Sequence, residues 1–163
     1  MSASDDLLRN NERYAAGFGH GQLSAPPARS VAVVTCMDAR IDPAALLGLA
    51  PGDAHVLRNA GGVLTQDVLR SLAISQSVLG TREVMFIQHT GCGMLGAEDE
   101  EIAAAIREKT GAAPDFPLLA FEDLEQSVRA AIAELRAAPI LAHRDAVRGF
   151  VYEVETGQLR EVV

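Results

Sequence analysis

The chain reads as an α/β protein: a mainly parallel central sheet with flanking helices, a helical arm ahead of it and an antiparallel hairpin at its end. Three observations predict this. Short apolar runs at 31–36, 54–57 and 83–88 alternate with stretches whose apolar residues recur at helical spacing. Glycine, proline and capping residues fall between those segments, so each strand–helix alternation reads as a right-handed crossover. The end of the chain breaks the rhythm: 147–154 and 159–162 flank Glu155-Thr-Gly157-Gln and read as a hairpin near the sheet edge. With 163 residues, no internal repeat and no second apolar core, a single domain over 1–163 is expected.

The elements follow in order. Ser4 before Asp5 and Asp6 predicts a helix N-cap with acids at the positive end of the macrodipole. Leu7, Leu8, Asn11, Tyr14, Ala15 and Phe18 then recur at helical spacing. Residues 19–29 have no periodicity, so 1–29 reads as a helix on a linker. Such an arm can pack on its own core or on a second subunit. After the strand at 31–36, Asp42 and Pro43 open a short helix over 44–47 that Gly48 ends. A turn at Pro51-Gly52-Asp53 leads to the strand at 54–57. The pair Gly61-Gly62 then lets backbone approach a neighbour closely. Thr65 caps a helix over 66–79 with Val68, Leu69, Leu72, Ala73, Val78 and Leu79 as its apolar face. The third strand ends at His89-Thr-Gly-Cys92-Gly93. An acid-rich helix over 97–109 and a helix over 122–137, ended by Pro139, complete the chain before the hairpin.

Composition excludes several functions. A net charge of −8 leaves no basic footprint for nucleic acid or an anionic membrane. Aromatics at 4% and the absence of Trp leave little for base stacking or sugar binding. No apolar run approaches the roughly eighteen residues of a membrane span. Met1-Ser-Ala-Ser-Asp-Asp lacks the basic and apolar regions of an export signal, which places the chain in the cytoplasm. There, two cysteines point to metal binding or catalysis before a disulfide.

The chemistry concentrates at two strand ends. The run Ser30-Val-Ala-Val-Val-Thr-Cys36-Met-Asp38-Ala-Arg40 drives a β-branched strand into a thiol, a carboxylate and a guanidinium at alternate positions. In an extended segment those three share one side. Open α/β sheets place their chemistry at the carboxyl ends of strands. If strands one and three are neighbours, Cys36 meets His89 and Cys92 in one crevice. Two thiolates and an imidazole suit zinc, and three ligands rather than four leave a position open, as catalytic sites do. Each residue taken singly reads as core; the three together at adjoining strand ends read as a site.

Two competitors fit less well. Gly91-Cys92-Gly93-Met94-Leu95-Gly96 spells G-x-G-x-x-G between a strand and a helix. But Glu98, Asp99, Glu100 and Glu101 stand where a pyrophosphate would sit, and the match falls on the third strand. A nucleophilic Cys36 with Arg40 clamping an anion needs a longer loop between them, and Asp38 would repel that anion.

These residues carry a family resemblance. Cys36-Met-Asp38-Ala-Arg40 resembles the Cys-x-Asp-x-Arg signature of the β-class carbonic anhydrases, and His89-Thr-Gly-Cys92-Gly93 resembles their His-x-x-Cys-Gly signature. Arg58-Asn59-Ala60-Gly61 is similar to the segment between the two. The likeness runs in order from the first strand to the closing hairpin, and the chain is most similar to the compact actinobacterial-type members. The resemblance implies Zn2+ held by Cys36, His89 and Cys92, with Asp38 and Arg40 as a dyad beside it. It implies reversible hydration of CO2 to bicarbonate and a proton by attack of a zinc-bound hydroxide. Asp38 would orient that nucleophile, and the amides of Gly93 and Gly61 would receive the developing bicarbonate oxygens. In some members the aspartate swings onto the metal at lower pH. The family is built on dimers whose N-terminal helix embraces the partner, so the resemblance favours a homodimer or higher homo-oligomer. Two thiolates cancel the metal's formal charge, which predicts an alkaline optimum.

The chain also departs from the pattern. No glutamine lies in 24–30 where plant members carry a substrate-contacting one, and the tryptophan of the bicarbonate-inhibited members is absent. Hydrolysis of carbonyl sulfide or carbon disulfide on the same zinc motif is therefore an alternative, as is a catalytically silent zinc-binding paralogue. Retention of Asp38 and Arg40 argues against silence, since a structural metal needs neither. Val63 and Leu64 are candidates for shaping the pocket. His20, His55 and His143 are candidates for proton relay, each reading more simply as a surface histidine.

Overall fold

In the computed structural model, which describes residues 2–163, β1 (Val31–Cys36) runs between β2 (Ala54–Asn59) and β3 (Glu83–His89), parallel to both. β4 (Val147–Tyr152) continues the sheet parallel to β3, and β5 (Leu159–Glu161) closes it antiparallel to β4. The order is β2-β1-β3-β4-β5. Because β1, β2 and β3 all point the same way, their carboxyl ends fall along one rim: Cys36 stands opposite Asn59, with Thr35 opposite Ile87. That is the neighbour relation the site needs.

The helices are α1 (Ala3–Ala16), α2 (Pro43–Leu47), α3 (Gln66–Ser77), α4 (Asp99–Thr110) and α5 (Leu124–Ala137). One face of the sheet, carrying Ala32, Val34, Val84, Phe86, Val147 and Val151, packs against Val68 and Leu72 of α3 and Val128, Ile132 and Leu135 of α5. The other face presents Val33, Ile87 and Phe150, partly covered by Leu47 of α2. Period-two alternation thus feeds two apolar layers from the same strands. At Gly149 of β4 an added Cβ would lie 2.5 Å from Val128 Cγ1, so the missing side chain lets α5 sit close on the sheet.

Several boundaries differ from the sequence reading. α1 is capped by Ser2, not Ser4: Asp5 then occupies the third helical position and returns a 2.7 Å bond from its carboxylate to the Ser2 amide. A Ser4 cap would put Leu7 there, which has nothing to return. α3 ends at Ser77, and its buried residues are Val68, Leu72, Ser75 and Gln76. Val78 falls off that stripe and is 72% exposed. α4 starts at Asp99 because Leu95 bridges to Phe121 and Gly96 turns the chain at φ +73°, which holds the preceding segment out of the helix. β4 stops at Tyr152, where the Glu153 carbonyl accepts from the Gly157 amide at 2.8 Å and turns the chain. β2 runs on to Asn59, and a single 3-10 turn (Ala60–Gly62) follows it. α1 buries none of its residues; Leu7, Leu8 and Tyr14 are all more than half exposed.

Candidate metal centre

Cys36 is the last residue of β1, His89 the last of β3, and Cys92 lies in the turn that leaves β3. All three are buried, and their ligand atoms lie within 4.8 Å of one another. The histidine shows what the cluster can hold. Its Nδ1 lies 2.9 Å from the Thr90 carbonyl, an acceptor, so Nδ1 carries the proton and Nε2 presents a lone pair. That Nε2 is fully buried and has no hydrogen-bond partner. An unsatisfied buried acceptor facing two thiols is costly unless a cation occupies the gap. Burial pushes the Cys92 thiol up; the Met94 amide, donating to its sulfur, opposes this, and the adjacent Cys36 adds to the rise. A dication reverses those terms, since it ligates thiolates outright. Two sulfurs and one neutral imidazole with a backbone-fixed tautomer fit zinc.

Asp38 and Arg40 follow in the loop after β1. β1 ends at Cys36, as the sequence predicts, but the residues beyond it are not extended: the Ile41 amide bonds the Asp38 carbonyl at 3.0 Å in a turn. They still face each other, because that turn closes a local fork. Arg40 Nε donates to Asp38 Oδ1 at 2.9 Å, Nη2 to Oδ2 at 2.7 Å, and the Arg40 amide to Oδ1 at 2.9 Å. Nη2 also reaches the Gly91 carbonyl at 2.9 Å, tying the fork to the turn that bears Cys92. The Arg40 guanidinium, then its amide, hold the Asp38 carboxyl well below the usual carboxylate range. Asp38 Oδ2 lies 3.8 Å from His89 Nε2, so an ionised carboxylate borders the ligand cluster.

Glycines close the wall. A crevice of about 330 Å³ opens between Cys36, Asp38, Gly61, Cys92, Gly93 and Met94. Gly62 is wedged between the ends of β1 and β3: φ is +57°, and an added Cβ would stand 2.8 Å from the Cys36 amide nitrogen and 3.1 Å from the Ile87 carbonyl oxygen. Buried Gln88 donates to the Gly61 carbonyl at 3.0 Å and holds the wall in place. Val63 and Leu64 lie elsewhere: Val63 is pinned to the Asn59 side chain, and Leu64 packs on the main core. His55 bonds Ser75 at 2.7 Å, the His143 amide bonds Gln76 at 2.9 Å, and no histidine besides His89 belongs to the cluster among the described residues. The G-x-G-x-x-G spelling forms no phosphate cradle: Gly91 packs under Arg40, and Asp99 stands at the helix start. Arg58 is a residue that sequence reasoning did not assign a role. Its Nε and Nη2 donate to the Cys36 and Asp38 carbonyls at 2.9 and 2.8 Å, fixing the backbone on both sides of Met37. Its place in the motif between the two signatures was the only signal.

Residues 31–159 match the carbonic anhydrase family model. The chain is 46% identical over 162 residues to β-carbonic anhydrase 1 of Mycobacterium tuberculosis, covering 99% of each. It is 33% identical over 180 residues to a carbon disulfide hydrolase of Acidithiobacillus thiooxidans, covering 98% of this chain and 90% of that one. Its fold superposes on a carbonic anhydrase from Streptococcus mutans with a TM-score of 0.94 at 41% identity, covering 100% of this chain and 99% of that one. With the family model spanning β1 to β4 and both cysteine motifs, and the full-length identity to a β-carbonic anhydrase, the chain belongs to the β-carbonic anhydrase family.

Proposed function

We propose that this chain catalyses the reversible hydration of CO2 to bicarbonate and a proton, with zinc held by Cys36, His89 and Cys92. The observation that carries the reading is the buried, unpartnered Nε2 of His89 beside two thiols and a carboxylate. Zinc bound there supplies the Lewis acidity that makes a nucleophile of water near neutral pH. The rest is the work of the chain's own groups. Asp38, kept ionised by Arg40, is an acceptor with no proton to give, so it takes the O–H of the attacking water and turns a lone pair toward the carbon. Arg40 directs its donors to Asp38 and the Gly91 carbonyl, which holds that carboxylate at the border of the ligand cluster instead of within it. The amides of Gly93 and Gly61 border the crevice as donors for the oxygens that gain charge. Met94 and Ile102 give its wall an apolar part, which suits a small, linear, uncharged substrate.

The proposal extends to assembly and setting. The exposed Leu7, Leu8 and Tyr14 of α1, a helix with no buried residue, and the exposed Phe18 after it support α1 packing on a second copy, so that residues 1–29 belong to one domain but serve a homodimer. A reducing cytoplasm suits a site whose two free thiols must remain ligands. No helix among the described residues is long and apolar enough to cross a membrane. Hydrolysis of carbon disulfide or carbonyl sulfide is a second and less supported reading, carried by the 33% identical hydrolase against 46% for the anhydrase. Stopped-flow CO2 hydration beside a sulfide-release assay separates them. Rapid hydration with no sulfide release is expected; sulfide release without hydration reverses the assignment, and stoichiometric zinc with neither activity marks a silent paralogue.

A further inference from the structure

The first residue of α4 does not serve its own helix. Asp99 turns its carboxylate to the loop before α5: Leu118 and Leu119 donate their amides to Oδ2 at 2.9 and 3.1 Å, and Ala120 donates to Oδ1 at 2.8 Å. Three successive amides converging on one anion form a nest, a concavity made by alternating backbone hand. Leu119 supplies the hand at φ +64°, one of two non-glycine residues with positive φ in the described chain. A branched side chain in that region is strained and persists only where its surroundings over-determine it. Asp99 is what over-determines it here.

The residue after the nest leads to the metal centre. The Phe121 amide donates to the Met94 carbonyl at 3.1 Å, and the Phe121 carbonyl accepts from the Gly96 amide at 2.8 Å. The Phe121 ring packs with Cys36, Ile41 and Cys92. The Leu95 amide in turn donates to the Cys92 carbonyl at 3.1 Å, and Met94 lines the crevice beside Cys92. A path of backbone and hydrogen bonds therefore runs from the Asp99 carboxylate through 118–120, Phe121 and the Met94–Leu95 segment to the turn that bears Cys92. We propose that Asp99 is a positioning residue of the metal centre: by holding 118–120 in its strained turn it fixes the Phe121 ring against Cys36 and Cys92, and through the Phe121–Met94 bond it holds the Met94 side chain in the crevice wall. Groups that pack around the ligands and hold them in place govern how tightly the metal is kept. Asparagine cannot substitute for the aspartate, since its amide nitrogen would meet an N–H where an oxygen now accepts one.

The inference rests on the reading of Cys36, His89 and Cys92 as zinc ligands. Its test uses the zinc-loaded full chain as parent, Asp99→Asn, Leu119→Gly and the double variant. Three quantities are read: zinc transfer to a chromogenic chelator, amide exchange at Leu95 and Phe121, and kcat/KM for CO2. Asp99→Asn should release zinc about tenfold faster and lose about tenfold in kcat/KM, with faster exchange at both amides. Leu119→Gly should stay near the parent. Glycine adopts positive φ freely, so the double variant should recover toward the parent in zinc transfer, which loss of a mere helix-end contact would not do. If Asp99→Asn does not fold, the double variant carries the test: folded, with zinc transfer within about threefold of the parent, it supports the role. An Asp99→Asn chain with parental zinc transfer, exchange changes confined to the start of α4, or a double variant no better than the single one overturns it. A parent that binds no zinc overturns the ligand reading and this one with it, an outcome distinct from a zinc-loaded parent that Asp99→Asn leaves unchanged.

Discussion

Under the proposed function Cys36 and Asp38, two residues apart, do different work, and substitution should separate them. Cys36→Ala removes one of three donors, so the chain should fold and fail to retain zinc through gel filtration, as metal analysis would show. Asp38→Ala leaves the donors intact, so it should keep stoichiometric zinc and lose about 10²- to 10⁴-fold in kcat, the range for a positioned proton acceptor. Equal zinc loss in both would contradict the division. Arg40 sets the pH at which Asp38 serves. The folded-state carboxyl titrates below its unfolded value, so the stabilisation it brings is complete above about pH 4 and fades only as pH falls through the folded value. Arg40→Leu removes the main cause of that depression. Asp38 should then titrate back toward the ordinary carboxylate range, and the acid limb of the kcat/KM profile should move to higher pH. An acid limb unmoved by the substitution would show that some other group sets it. The residue scale was also where sequence was most informative: Cys36, His89 and Cys92, which the motifs named, lie together, with the paired Asp38 and Arg40 beside them. Arg58 and Asp99 were illegible there because they act through backbone carbonyls and amides, which no side-chain pattern records.

At the scale of elements, the site depends on how closely β1 and β3 part around the turn that follows β2. Gly62 fills that gap with backbone alone, at a positive φ and with no room for a Cβ. Gly62→Ala should cost about 3 kcal/mol or more, summing strain and overpacking, seen as a lower urea midpoint, with zinc retention falling in parallel. An alanine variant of parental midpoint would show that the rim can relax. The glycine pair was legible as a place of close approach, but not which backbone it approached. That depends on the strand order, and neighbouring of β1 and β3 was an inference from topology rules, not from any residue. Element identities were legible from periodicity throughout. Their ends were not, where reciprocal bonds such as Ser2 with Asp5, or an isolated bridge such as Leu95 with Phe121, chose the boundary.

For the whole molecule the open question is the arm. Since α1 buries nothing in its own chain, removing it should leave the fold's stability untouched. A chain beginning after His20, upstream of the point where the Ala28 amide bonds Gly52 at 2.9 Å and secures the linker, should keep its urea midpoint. It should sediment as one copy where the full chain sediments as two or more. An unchanged oligomer would move the interface elsewhere. Amphipathic spacing made the arm legible as a helix, while its partner was not, because the same stripe suits an intramolecular groove.

The placement of the ligands on β1 and beyond β3 has a consequence in time. Translation delivers Cys36 first, at about 5–20 residues per second, and several seconds pass before His89 and Cys92 emerge. During that interval one thiol waits on a strand whose neighbour has not yet been made. If the proposed site holds zinc, the metal is captured only after the crossover has closed, so zinc acquisition would report that β1 and β3 have found each other and would favour the correctly ordered sheet over any misordered one that leaves the two motifs apart.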